Sequence, residues 1–172
     1  MEKFEDTNKE PGLLLDSLYR HQAILQDGSV EQSTIPAKLI IHYAAAHYRA
    51  RIDTTEHITL LIGHYCTPLA TLLHTYGSQS AVYITACNPL SQATPPGENQ
   101  LANARLYERL FYYSSHVYPG ESIDPAGEWP TEASYLALDL NPAAARKLGR
   151  EFSQNAIVWV GADAIPRLIL LH

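Results

Sequence analysis

The stretch YITACNPLSQATPPGEN, residues 83–99, concentrates hydrogen-bonding side chains at the point where an apolar segment ends. Thr85 and Asn88 stand at that point, and a proline-rich loop leads from them to Glu98 and Asn99 at the start of a predicted helix. Hydroxyl, amide and carboxyl groups brought together in this way can bind a polar small molecule, and a helix N-terminus favours an anion. The stretch therefore predicts one wall of a polar pocket.

Helical periodicity brings another amide to the same place. In the helix predicted over residues 96–117, the inward apolar stripe consists of Ala102, Leu106, Leu110, Tyr113 and Val117. Asn99 and Asn103 fall on the N-terminal end of this stripe. A buried amide without a partner costs about 1–3 kcal/mol, so these two side chains need hydrogen-bond partners. Two interpretations stay open: the amides line the pocket, or they tie down the loop at residues 87–98.

Two carboxylates stand near these groups in the sequence, and Glu98 is the candidate catalytic residue. In an enzyme it would be the general acid or base, with Asn88 and Asn99 as positioning or charge-stabilising donors. Glu132 stands two residues before a predicted strand, which places it at the opposite edge of the sheet from Thr85. A catalytic pair needs carboxyl groups about 5–10 Å apart, so this placement argues against one. Each carboxylate alone also fits a cap or an ion pair.

Two further amides stand near the C-terminus, between a predicted helix and a buried strand. Asn155 fits a helix C-cap, where asparagine tolerates the left-handed conformation, and it equally fits a ligand contact. Gln154 has no such capping role. We therefore count both Gln154 and Asn155 among the candidate ligand-binding residues.

Motifs for phosphate, acyl-transfer and metal chemistry are absent or weak in this sequence. It has no glycine-rich phosphate loop and no G-x-S-x-G turn. His64 and Cys66 alternate at a strand end and could join Cys87, but three ligands of mixed type without a paired motif are weak support for zinc. We predict no metal site and no cofactor.

Apolar and helical patterns place the elements that must position these residues. The predicted helices are residues 13–25, 37–49, 67–77, 96–117 and 142–152, the last opened by the capping pair Asn141-Pro142. The predicted strands are residues 57–63, 80–86, 134–140, 156–160 and 166–171. Residues 118–133, rich in proline, glycine and acidic side chains, are predicted to be a loop.

These elements predict an α/β (or α+β) fold: a single domain with a mixed β-sheet of about five strands, helices on both faces and a C-terminal antiparallel hairpin. Residues 1–30 are expected to be an N-terminal arm, partly disordered or forming a short helix, and residues 31–172 a single globular domain. In an open sheet of β–α–β units, ligands bind at the carboxyl ends of the strands. Thr85 and Asn88 stand at such an end.

Composition excludes several classes of protein. With 12 Lys and Arg against 18 Asp and Glu, the net charge of −6 is unsuited to a nucleic acid partner. The N-terminus has no signal-peptide pattern, and no apolar run approaches the roughly 20 residues that span a membrane. Only two cysteines are present, which is typical of a reducing compartment. We expect a cytoplasmic protein without a membrane partner.

Four motifs give the sequence a family resemblance. They are Thr85-Ala86-x-Asn88-Pro89, Glu98-Asn99, Trp129-x-x-Glu132-x-Ser134 and Phe152-x-Gln154-Asn155-Ala156. In this order the motifs resemble the bacterial family catalogued as domain of unknown function 3293, over about residues 37–171. The resemblance implies that the motif residues form the site, Ser134 included, and it implies no reaction. The family often has tryptophan at the position of Cys87, which argues against a cysteine nucleophile.

Two hypotheses for the function follow. The first is a polar pocket at the TACNP turn that binds or transforms a small polar metabolite, with nucleotide-like molecules among the options. Its predicted ligand-binding residues are Thr85, Asn88, Asn99, Asn103, Glu132, Ser134, Gln154 and Asn155. The alternative is a protein–protein interaction or regulatory module without catalytic activity, which binds a protein partner or forms a homodimer through the acidic loop and the tyrosines. The sequence leaves open whether the protein is an enzyme.

Overall fold

Helices and strands alternate along the part of the chain that the computed structural model describes, which is residues 11–20, 23–26 and 33–172. Eight strands form among these residues: β1 Ile24–Leu25, β2 His47–Arg51, β3 His57–Leu60, β4 Ser80–Ile84, β5 Val117–Ile123, β6 Glu132–Leu138, β7 Ala156–Gly161 and β8 Pro166–Leu170. The same residues contain five α-helices: α1 Pro11–Arg20, α2 Ala37–Ala45, α3 Thr67–Tyr76, α4 Pro96–Leu110 and α5 Pro142–Glu151.

The strands form a single mixed sheet in the order β1-β8-β7-β4-β6-β5-β2-β3. The terminal hairpin is confirmed, since β7 and β8 pair antiparallel. The expected number of about five strands is wrong, because the described residues contribute eight. Parallel β–α–β units were also expected, yet only the short β1–β8 pair is parallel among the described strands.

Two of the additional strands lie where the sequence predicted other structure. The helix expected at residues 37–49 ends at Ala45, and Ala46 is extended with φ −65° and ψ 150°, so the next residues form β2. The loop expected at residues 118–133 begins with β5, which pairs with β2 on one side and β6 on the other. The single domain is mixed α/β, and its sheet is curled.

Helices cover both faces of the sheet, as the sequence predicted. Along β4, Ala81 and Tyr83 point into one core while Val82 and Ile84 point into the other, because successive side chains of a strand alternate. Side chains of α1, α2 and α3 pack in the first core, and those of α4 and α5 pack in the second. This alternation explains why the central strands are apolar throughout.

Antiparallel pairing decides what surrounds the carboxyl end of β4. This strand lies between β6 and β7 and runs opposite to both, so its end meets their beginnings. Ile84, the last residue of β4, is paired with Tyr135 near the start of β6. The placement of Glu132 at the opposite edge from Thr85 is therefore wrong: Glu132 begins β6 and lies beside the residues that follow β4.

The N-terminal region is described in part. The helix expected at residues 13–25 is α1, which ends at Arg20, and β1 follows it along β8. The predicted boundary at residue 30 stays a prediction, because residues 1–10, 21–22 and 27–32 lie outside the described residues. None of the helices in the described ranges is both long and apolar enough to cross a membrane.

Candidate functional site

A cleft opens where the end of β4 meets the starts of β6 and β7, with α2 along one side. Its cavity volume is about 80 Å³. Small-molecule sites usually measure about 300–1,000 Å³, so this narrow cleft suits a small or slim ligand. Its polar and aromatic lining includes His42, Tyr43, Tyr48, Tyr83, Thr85, Cys87, Asn88, Ser91, Ser122, Asp124, Trp129, Glu132, Gln154 and Asn155.

The turn after β4 has an unusual backbone. Asn88, Leu90 and Ser91 adopt φ angles of 47°, 53° and 57°, in the left-handed region that residues other than glycine rarely occupy. Hydrogen bonds hold the turn in place: Asn88 N donates to Asn99 Oδ1 at 2.8 Å, and Leu90 N donates to Ser153 O at 2.7 Å. Local strain of this kind persists only where surrounding contacts enforce it, and it clusters at binding sites.

The side chain of Asn88 joins this turn to the carboxylate of β6. Its Nδ2 donates to Glu132 Oε1 at 2.6 Å. Its Oδ1 accepts from Thr94 N and from Asn99 Nδ2, each at 3.0 Å. Asn88 therefore lines the cleft and at the same time fixes the loop and orients Glu132.

Glu132 is the half-buried carboxyl group of the cleft. Asn88 Nδ2 and Trp129 Nε1 both donate to Oε1, at 2.6 and 3.1 Å, and among the described residues no donor binds Oε2. Burial raises the pKa of this carboxyl group, and the two hydrogen bonds oppose the rise. A carboxyl group in a cleft with a pKa shifted by desolvation is a candidate for proton transfer.

Asn99 and Asn103 act as structural anchors of the loop, which is one of the two interpretations left open by the sequence. Asn103 is 5% exposed, accepts from Ala86 N at 2.8 Å and donates to Ala133 O at 2.8 Å. Asn99 donates to Thr94 O at 3.2 Å and makes the two contacts with Asn88. Neither amide lines the cleft.

Two other predicted site residues also lie outside the cleft lining. Glu98 is exposed in the first turn of α4. Ser134 is buried, and its hydroxyl group contacts Ser122 Oγ and Glu132 O, each at 3.0 Å. Their predicted roles in catalysis and ligand binding stay predictions, while Thr85, Asn88, Glu132, Gln154 and Asn155 do come together at the cleft.

Gln154 and Asn155 reach the cleft from the start of β7. Gln154 is 7% exposed, and its Nε2 donates to Cys87 O at 3.1 Å and Phe152 O at 3.2 Å. Asn155 Nδ2 donates to Tyr43 Oη and Ser91 Oγ, each at 3.1 Å, and those two hydroxyl groups are also hydrogen-bonded to each other. These bonds attach α2 and the turn to β7.

Most of the polar residues of the cleft lie in a segment of the chain that matches a known family. The family model described as Protein of unknown function (DUF3293) matches residues 84–157. This segment of the chain is therefore similar to a DUF3293 domain. The resemblance in the sequence motifs is thereby confirmed. No curated protein and no solved structure matches the chain.

The DUF3293 match contains Asn88, Glu132 and Gln154 but not the tyrosines that line one side of the cleft. Tyr43 and Tyr48 precede the matched residues, and the Tyr48 ring meets the Tyr83 ring edge to face at a centroid distance of 5.3 Å. The sequence associated the tyrosines with a surface for a protein partner and not with the cleft. These aromatic residues come from separate elements, and the curl of the sheet brings them together as an aromatic wall along one side of the cleft.

Asp124 and His42 lie at the rim of the cleft, and the sequence did not predict either residue as part of the site. Asp124 accepts backbone hydrogen bonds from Ala126, Glu128 and Trp129 at 2.9–3.0 Å, and these bonds, led by that of Ala126, lower the pKa of its carboxyl group. His42 Nδ1 lies 3.7 Å from Asp124 Oδ2. Asp124 followed by Pro-Ala-Gly is an Asx-turn pattern, a signal that could have placed it in an ordered turn.

The cysteines and histidines give no metal site in the described part of the chain, where no three His, Cys, Asp or Glu side chains are grouped to hold an ion. Burial raises the pKa of the Cys87 thiol, with smaller opposing contributions from hydrogen bonds of Thr85 and Asn103. A thiol in this state is a weak nucleophile at neutral pH.

Proposed function

We propose that the cleft binds a small polar molecule and that Glu132 is its central recognition group. One observation carries the proposal: Asn88 and Trp129 fix Glu132 Oε1, while Oε2 has no donor among the described residues. A desolvated carboxyl oxygen gains from a hydrogen-bond partner, and the cleft leaves room for one. Binding sites often hold such a group in its bound orientation, because the entropic cost of ordering it then arises on folding and not on binding.

The proposal extends to catalysis through the same group. Burial raises its pKa, so Glu132 holds a proton to higher pH than an exposed carboxyl group does and is suited to exchange it with a bound molecule. Asn88 would hold the carboxyl group in position during the exchange. Glu132 thus takes the acid–base role that the sequence assigned to Glu98, which is exposed on α4.

A ligand screen by thermal shift tests the proposal. A ligand at about 100 times its dissociation constant stabilises the folded state by about 2.7 kcal/mol, which is readily measured. We expect at least one compound of a panel of sugars, nucleotides, amino acids and amines to raise the melting temperature of the wild type. Glu132→Gln should lose most of this shift, because it removes the charge while keeping the side-chain shape.

Matched variants make the screen decisive. Glu108→Gln makes the same change of charge on an exposed carboxylate of α4, and it should keep the full ligand-induced shift. Glu98→Gln tests the role predicted from the sequence. A panel without any hit, or a hit that Glu132→Gln retains in full, would contradict the proposal for the cleft.

Protein stability should depend on pH through Glu132. Burial raises the pKa of this carboxyl group above its ordinary 4.5 in the folded protein. The unfolded chain then releases the proton at lower pH than the folded protein does. The contribution of Glu132 to wild-type stability should therefore fall as pH rises from about 4.5 through the raised pKa. Glu132→Gln has no proton to release, so its stability relative to the wild type should grow over that range.

Urea unfolding of both proteins at a series of pH values measures this effect. Asp124 and the other titratable groups at the cleft are common to both proteins, so their contributions are largely the same in both. Glu108→Gln provides the reference for the same substitution at an exposed side chain. A stability difference that stays constant with pH would show that burial does not shift the pKa of Glu132.

The interaction module is the second candidate, favoured by exposed aromatic side chains at the end of α4. Phe111 is 50% exposed and Tyr112 is 78% exposed, beside the edge-to-face pair of Tyr107 and Phe111. Residues 118–123 of the loop expected to provide the binding face belong to the sheet as part of β5. Sedimentation of the wild type and of Phe111→Ser over a range of concentrations tests for a homodimer.

A further inference from the structure

The cleft presents open hydrogen-bond acceptors to a ligand, and several of its donors are already used within the protein. Gln154 Nε2 donates to two backbone carbonyl groups, those of Cys87 and Phe152. Carbonyl oxygens only accept, so this pattern fixes which end of the amide is nitrogen. Gln154 Oε1 is left without a donor among the described residues, although the side chain is 7% exposed.

Three hydroxyl groups of the lining are committed in the same way. Thr85 Oγ1 donates to Ala133 O at 2.7 Å. Tyr48 Oη donates to Tyr43 O at 2.6 Å, and Tyr83 Oη donates to Arg49 O at 3.0 Å. A hydroxyl group has a single hydrogen, so these three side chains have none left for a ligand. A phosphate or carboxylate would find few donors here.

The two side chains that carry these acceptors are anchored at adjoining residues of the turn after β4. Gln154 is anchored to the carbonyl oxygen of Cys87, and Glu132 is anchored to the side chain of the next residue, Asn88. Gln154 Oε1 and Glu132 Oε2 therefore belong to side chains held on consecutive residues of one turn. A ligand group with several N–H bonds can use both oxygens.

Charge and aromatic surface favour a cation at this place. The cleft lining contains two carboxylates, Asp124 and Glu132, and a histidine, with no lysine or arginine among the described lining residues. Backbone hydrogen bonds lower the pKa of Asp124, so it is ionised at neutral pH. The rings of Tyr48, Tyr83 and Trp129 also line the cleft, and aromatic faces attract cations.

We propose that the ligand enters this cleft by a cationic nitrogen group, a primary ammonium or a guanidinium, which donates to Glu132 Oε2 and Gln154 Oε1 between the aromatic side chains. This inference rests on the proposed function and names its ligand class. It replaces nucleotide-like molecules as the expected class, since the described lining residues include no lysine or arginine to pair with a phosphate.

Calorimetric titration with matched probes tests the ligand class. Butane-1,4-diamine and butane-1,4-diol have the same length and differ in charge, and agmatine adds a guanidinium group. We expect the diamine and agmatine to bind the wild type, with the diol at least about tenfold weaker. Adenosine monophosphate and inorganic phosphate should not bind. Glu132→Gln should weaken amine binding about tenfold or more, and Glu108→Gln should leave it unchanged.

The pH dependence of amine affinity distinguishes a ligand contact of Glu132 from a merely structural role. Amine affinity should be lost as pH falls through the pKa of Glu132, and Glu132→Gln should lack this loss. Binding of the diol or the nucleotide in place of the amines, abolished by Glu132→Gln, would overturn the cationic class and leave the binding site intact. Absence of binding by every probe would overturn the cationic class, while the wider thermal-shift panel judges the binding site separately.

Discussion

Gly120→Ala should lower the free energy of unfolding by at least about 3 kcal/mol. A Cβ atom at this position would lie 2.4 Å from the carbonyl oxygen of Arg49 and 2.8 Å from Tyr83 Oη. Overpacking usually costs about 1–3 kcal/mol, and here the nearest atom belongs to the backbone and cannot rotate away. Gly120 lies on β5 opposite Ala50 of β2, so relief of the clash must separate these strands.

The same clash should damage the cleft. The Tyr83 side chain passes close to Gly120, which has no side chain to block it, and its Oη donates to Arg49 O. Arg49 lies on β2, three strands from β4 in the sheet order. This contact holds the curl that brings Tyr83 against Tyr48. Ligand binding should therefore weaken even at temperatures where Gly120→Ala stays folded, and chemical denaturation combined with titration measures both effects.

Gly97→Ala is the matched control. A Cβ atom there meets nothing within 4 Å, and the position lies in the first turn of α4. Alanine favours a helix over glycine by up to about 1 kcal/mol, so this variant should be as stable as the wild type or slightly more stable. Equal destabilisation by both substitutions would contradict the role given to the close approach at Gly120.

Asn88→Ala should lower the free energy of unfolding by about 3 kcal/mol. The substitution removes the side-chain contacts with Thr94, Asn99 and Glu132, and each buried partner left unsatisfied costs about 1 kcal/mol or more. Alanine also tolerates the φ angle of 47° poorly. Loss of the hydrogen bond to Glu132 should further raise the pKa of that carboxyl group.

Asn88→Gly separates the two costs. Glycine adopts the left-handed conformation without strain but makes none of the side-chain contacts. It should be less destabilising than Asn88→Ala by about 1 kcal/mol in urea unfolding. If both variants keep wild-type stability, the hydrogen bonds of Asn88 do not hold the turn.

Local patterns predicted the elements whose sequence signals are strong. β4 and the terminal hairpin have apolar runs bounded by turn residues. α5 starts as predicted, since Asn141 Oδ1 accepts from Ala144 N at 2.9 Å and Pro142 is the first helical residue. The sequence HYRAR of β2 has few apolar residues, and VYPGESI of β5 contains proline and glycine. Pairing in the sheet, which lies beyond any local window, makes these two segments strands.

The candidate site was predicted in part for the same reason. Thr85 and Asn88 follow β4 directly, so the local sequence pattern predicted both residues. The position of Glu132 depends on whether β6 runs with or against β4, and the sequence does not encode strand direction within a short window. The aromatic wall depends on the curl of the sheet, which follows from contacts such as that of Tyr83 with Arg49.

The cleft collects its lining from residues as far apart as Leu39 and Leu168. Loop closure over such separations is slow relative to local helix formation, so the cleft completes only when the whole sheet has assembled. A fragment limited to residues 84–157 would keep Glu132 and Gln154 but lose Tyr43, Tyr48 and Tyr83. Ligand binding should therefore serve as a probe of complete folding, since no fragment shorter than residues 39–168 contains the whole lining.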